Sequence, residues 1–153
     1  FFFTQKTAYE SMPSLVGSEM CIRDRTGSLR PGVRECFQKL IDDGHKIYIW
    51  SGMGLRWHEI RHNNLEGFVS GVFHKPLHDY REAWEQSGVD VTPDFVIDDH
   101  IGVPQAFGGI FTKAYYFPDE RDTEMEGIYL AIRSYAETGN TLHPRFWHPP
   151  SKT

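Results

Sequence analysis

Apolar positions along the chain alternate between helical and strand spacing, and glycine, proline or asparagine marks most of the changes. Val33, Cys36, Phe37, Leu40 and Ile41 recur at helical steps, with Pro31 placed for the first turn and Gly44 for a left-handed stop. Ile47-Tyr48-Ile49-Trp50 then reads as a strand, and its nearly unbroken apolar character suits burial on both faces. Gly52 and Gly54 loosen the next turn; a helix is expected over 56–63, closed by Asn63-Asn64 and Gly67. A strand over 69–73 and a helix over 80–87, with Trp84 turned inward, come next. Pro93-Asp94 opens a third strand through Ile97, followed by a short helix over 103–107. Residues 110–111 and 114–117 read as a further strand with an irregular exit. A final helix over 122–137 aligns Met125, Ile128, Tyr129, Ile132 and Tyr135 on one face. Strands alternating with helices in this way predict an α/β fold, a parallel sheet covered by helices on both faces.

The two ends depart from that pattern. Residues 4–10 (TQKTAYE) and 14–25 (SLVGSEMCIRDR) resemble translated sequencing-library oligonucleotides, a flow-cell adapter and a transposon-end primer. Ser11-Met12-Pro13 falls between them, where a sample index would sit. Residues 1–25 are therefore read as adapter-derived and set aside from fold reasoning. They are not expected to pack as a native central strand, and the native protein is expected to start near Thr26, in mid-domain, with its first strand missing or replaced. The alternative, a genuine extension opening on Phe1-Phe2-Phe3, fits neither a signal peptide nor a transit peptide. Residues 26–139 then form one α/β core, and 140–153 a Pro-rich tail expected to lie as a surface strap or a frayed end.

Charge and cysteine content narrow the partners. Lys6, Arg23 and Arg25 balance Glu10, Glu19 and Asp24, so the net charge of −5 belongs to residues 26–153. An acidic domain without a basic stripe argues against a nucleic-acid partner. No apolar run approaches the ~20 residues that span a membrane, which argues against a membrane partner. Cys36 sits on the apolar face of its helix as a core thiol without an internal disulfide partner outside 1–25, which suits a reducing cytoplasm.

The candidate chemistry lies where strands end. Ser51 follows the strand over 47–50, Lys75 follows His74 after Val72-Phe73, and Asp98-Asp99 follow Phe95-Val96-Ile97. Ligands of an open parallel sheet sit at the carboxyl ends of its strands, so a hydroxyl, an ammonium and two carboxylates are expected round one crevice. The hydroxyl and ammonium suit the oxygens of a phosphate, and the carboxylates suit a hard cation such as Mg²⁺. No nucleophile is present in the set.

In order and spacing these residues resemble the haloacid dehalogenase-like (HAD) hydrolases, mostly phosphatases with a Rossmann-like fold. The resemblance runs from about Leu29 to Tyr135. Ile49-Trp50-Ser51-Gly52 looks like the second signature of that family, His74-Lys75-Pro76 the third and Val96-Ile97-Asp98-Asp99 the fourth. Leu29-Arg30-Pro31-Gly32-Val33 looks like the helix start that commonly precedes the second. The steps from 51 to 75 and from 75 to 98 each leave room for one βα unit and none for a cap domain between Ser51 and Lys75. The resemblance implies a phosphoaspartyl enzyme acting on a phosphorylated small molecule. An upstream Asp-x-Asp would supply the nucleophile and the general acid–base group. Ser51, with Gly52, would bind a phosphoryl oxygen, Lys75 would neutralise charge in the transition state, and Asp98 and Asp99 would hold Mg²⁺. Lacking the first signature, the chain as written is expected to be inactive. Val103 and Pro104 occupy the stretch where many relatives carry a further acidic residue. The rival expectation is a non-catalytic α/β binding or interaction domain with the same fold.

Each residue also has a plainer role. Ser51 could cap the next helix, Lys75 could be a solvated loop cation, and Asp98-Asp99 could form a turn or an N-cap. Asp24-Arg25-Thr26-Gly27-Ser28-Leu29 mimics the first signature, but too few residues separate Asp24 from Pro31 for the loop and flap that follow it in the family. His58-Glu59-Ile60-Arg61-His62 matches the HExxH zinc pattern without an evident third ligand, and reads as a surface helix anchored by Trp57 and Ile60. Gly52-Met53-Gly54 lacks the third glycine of a dinucleotide-binding turn. A receiver domain would place its lysine after the aspartates, the reverse of the order here.

Overall fold

A computed structural model describes the backbone of residues 2–3 and 14–17 and the whole of residues 21–151. The elements are β1 (Phe2–Phe3), β2 (Ser14–Gly17), α1 (Val33–Asp42), β3 (Lys46–Ser51), α2 (Trp57–His62), β4 (Val69–His74), α3 (Tyr80–Gln86), β5 (Phe95–Asp98), α4 (Gly102–Phe107), β6 (Gly109–Phe111), α5 (Glu124–Thr138) and β7 (Phe146–Trp147). Five strands run parallel in the spatial order β4-β3-β2-β5-β6. β7 adds an antiparallel edge to β6, and β1 pairs antiparallel with both β3 and β5.

Side chains alternate faces along a strand, and the register carries that alternation across the sheet. Trp50 aligns with Phe73, and Ile49 aligns with Ile97 through Gly17. On one face Trp50 meets Trp84 of α3 and Phe107 of α4 edge-on or tilted, with ring centroids 5.3 and 5.6 Å away. On the other, Phe95 meets Tyr135 of α5 at 5.1 Å, and α5 packs on α1. Helices therefore cover both faces of a mixed sheet with a five-stranded parallel centre, and the α/β class holds. The stop at Gly44 also holds, with φ of 92°.

Two expectations need correction, and one gains a strand. Ser14–Gly17 pairs in parallel with both β3 and β5, so part of 1–25 does occupy a central strand position, and the first strand's place is filled rather than missing. Cys21 and Ile22 beyond it are buried, whereas residues 4–13 and Met20 lie outside the described residues. Residues 114–117 are not strand; Arg30 donates to the carbonyl of Lys113, the residue before them, and holds it off the sheet. The strap expected of the tail holds, and it carries a short strand: β7 pairs with β6, and Phe146 stacks on Phe95 at 5.8 Å.

Candidate functional site

The strand order reverses between β2 and β5, and a crevice opens at the carboxyl ends where such a reversal occurs. Cys21 lies beyond β2 at this point, and Asp98-Asp99 close β5. Asp98 is fully buried and its carboxylate is saturated. Lys75 Nζ donates to both of its oxygens at 3.2 Å, Trp50 Nε1 donates to Oδ2 at 3.3 Å, and the His100 amide donates to Oδ1 at 2.9 Å. Three donors make four contacts, which match the roughly four lone-pair sites of a carboxylate. The Lys75 side chain remains 13% exposed, with its ammonium held on the buried carboxylate.

Asp99 is half-buried, and its Oδ1 lies 3.8 Å from Cys21 Sγ. The same thiol lies 4.0 Å from the carbonyl of Ile97. Burial, followed by the charges of Asp98 and Asp99, pushes the Cys21 thiol well above its usual range, against a smaller opposing effect of Lys75. A thiol in that state is neutral and inert as a nucleophile. Arg30, itself buried, donates to the carbonyl of Cys21 at 3.2 Å and forms a two-pronged ion pair with Asp122, which ties the loop after β2 to the start of α5.

Ser51 ends β3 beside Lys75, whose amide donates to the Ser51 carbonyl at 3.0 Å. The Ser51 hydroxyl accepts from the Met53 amide at 3.1 Å, which fixes the turn and leaves its O–H as a donor. It does not cap α2, which has no side-chain cap. Gly52 allows the next loop to close in: a Cβ there would stand 2.7 Å from Leu77 Cδ2. Lys75, Asp98 and Asp99 thus share one cluster, while Ser51 adjoins it through the backbone.

The decoys resolve separately. The Asp24 carboxylate turns into its own loop, where Oδ1 accepts from Thr26 N, Thr26 Oγ1 and Ser28 N at 2.7–2.9 Å. The His58 and His62 rings stack 6.4 Å apart, and no group of three His, Cys, Asp or Glu side chains suited to a metal occurs among the described residues. Among the same residues no helix is long and apolar enough to cross a membrane.

Of the two carboxylates, the one that would take a hard cation is Asp99. Its carboxylate is unsaturated and oxygen-only, whereas Asp98 has no lone pair left while Lys75 stays in place. Sequence patterning did not single out Trp50, Arg30, Cys21 or His100. A buried indole needs an acceptor and a buried guanidinium needs a carboxylate, so Trp50 and Arg30 carried a signal; the roles of Cys21 and the His100 amide depend on the tertiary fold. No family model, no curated protein and no solved structure matches the chain.

Proposed function

We propose that this chain carries the phosphate-handling edge of a Mg²⁺-dependent, HAD-type phosphatase with a Rossmann-like core. Its substrate is a phosphorylated small molecule, and its setting is the reducing cytoplasm, in keeping with two buried free thiols. The observation that carries the proposal is the Lys75 ammonium held on a saturated, buried Asp98 where the strand order reverses. Beside it, the buried Ser51 O–H, which has no acceptor among the described residues, would bind one phosphoryl oxygen, and Lys75 would neutralise charge on another as it develops. Bound by Asp99, Mg²⁺ would shield the phosphate's negative charge from the carboxylates around it.

As written, the chain binds phosphate but does not turn over. Cys21 is the first described residue beyond β2 and Arg23 lies two residues on, so positions 21 and 23 carry no carboxylate pair. The test is to install both, as Cys21→Asp with Arg23→Asp, and to assay an aryl phosphate with and without Mg²⁺. The original chain should be inactive and the double variant active only with Mg²⁺, by several orders of magnitude over the original. Retained circular dichroism and a melting temperature raised by Mg²⁺ would show that the variant folds and binds the ion. Turnover in both chains, or turnover in the variant that survives chelation or Asp99→Asn, would refute the assignment.

A further inference from the structure

Three loops leave the carboxyl edge of the sheet, and each places an apolar side chain in solvent. Met53, 79% exposed, and Leu55 lie on the loop after β3; Leu77, 71% exposed, lies on the loop after β4; and Ile101 lies on the loop after β5. A single exposed aliphatic residue means little, but four on three loops leaving the same sheet edge give that edge an apolar rim. Two contacts locate this rim relative to the polar floor. The Met53 amide is bonded to the Ser51 hydroxyl, and Leu77 packs against Gly52, so both residues flank the Ser51 hydroxyl. Ile101 follows His100, whose amide holds Asp98.

We propose that this rim makes the site selective for phosphate monoesters with an apolar alcohol or phenol portion, an aryl or long alkyl group, over sugar phosphates. The inference rests on the phosphatase reading above and names its substrate class. The phosphate end is set by Lys75 and the Ser51 O–H, which are the charged and hydrogen-bonding groups at the floor. The organic end then lies across Leu77 and Met53, where a sugar's hydroxyls would lose water without gaining partners. Covering an aryl ring on one side buries on the order of 100 Å² of apolar surface, which corresponds to roughly tenfold or more in affinity.

The chain as written suits the test because it is expected to bind without turnover. Inorganic phosphate, ribose 5-phosphate and 1-naphthyl phosphate are titrated in turn with Mg²⁺, and binding is followed by calorimetry and by the amide resonances of Gly52 and Met53. The expected order is 1-naphthyl phosphate at least ~10-fold tighter than the other two. Leu77→Ser and Met53→Ser, both at exposed positions, should remove that margin and leave the affinity for inorganic phosphate unchanged. Equal affinities for all three ligands, or a margin that survives both substitutions, would overturn the inference while leaving the phosphatase reading intact. Binding of none of them, or binding indifferent to Lys75→Met, would overturn both. Sedimentation that showed a self-association abolished by the same two substitutions, with no change in ligand affinity, would assign the rim to a second copy of the chain and overturn it as well.

Discussion

Asp98 shows how much one buried carboxylate demands of its neighbours. Fully buried, it needs a counter-charge and further donors, and Lys75, Trp50 and the His100 amide provide them from three different elements. Removing the counter-charge should therefore cost more than removing a neutral donor. Lys75→Met is expected to destabilise the fold by about 3 kcal/mol, since it strands a buried charge. Trp50→Phe keeps most of the ring packing between Trp84 and Phe107 and loses one charge-assisted hydrogen bond, at a cost of about 1.5 kcal/mol. Urea unfolding of the two variants checks the ranking; an Lys75→Met cost below that of Trp50→Phe would mean that the pair is solvated rather than buried.

At the scale of elements, the strap formed by β7 closes the free edge of β6. Its anchors are Phe146, stacked on Phe95, the ion pair of Arg145 with Glu124, and the bond from Arg145 Nε to the Phe111 carbonyl. β6 itself depends on Gly109, with φ of 141° and no room for a side chain: a Cβ there would stand 1.9 Å from the Val96 carbonyl oxygen. Gly109→Ala should cost about 3 kcal/mol or more, and Phe146→Ala about 2 kcal/mol, both readable as lowered melting temperatures. A neutral Gly109→Ala would mean that β6 can shift away from β5. These elements also mark how far the sequence could be read. The segments that became β3, β4, β5, α1 and α5 were legible because each carries a sustained apolar period that one buried face or two select. β7 was not, because two residues have no period and its pairing is decided by an aromatic contact remote in sequence. β2 was not, because Ser14–Gly17 resembles oligonucleotide-derived sequence and only the open slot between β3 and β5 makes it a strand. Of the site, Ser51, Lys75 and the aspartate pair were legible from their position after strands. Asp98's saturation was not, since it depends on Trp50 and Lys75 meeting it across the sheet.

Across the whole molecule, acid sensitivity should come first from histidine. His45, buried in a small cleft with Asp43, Arg133 and Glu137, has its pKa lowered from 6.5 to about 4 by burial, against a weaker raising effect of Asp43. Burial likewise lowers His143 from its usual value. The unfolded chain therefore takes up these protons first, so stability is full above pH ~6.5 and falls as the pH drops toward 4. The His45 contribution is about 3 kcal/mol over that window, and His45→Gln should flatten most of the fall in a pH series of urea midpoints. A wild-type midpoint constant from pH 7 to 4.5 would contradict it. On the function proposed above, the edge around Lys75, Asp99 and Ser51 serves phosphoryl transfer to a carboxylate beyond β2. The most direct measurement is an acid quench of the Cys21→Asp, Arg23→Asp chain during turnover of an aryl phosphate, with mapping of the labelled peptide. The expected result is a hydroxylamine-sensitive acyl phosphate on the introduced carboxylate at position 21, present with Mg²⁺ and lost with Lys75→Met. A folded variant that forms no such adduct, or one labelled elsewhere, would contradict the claim.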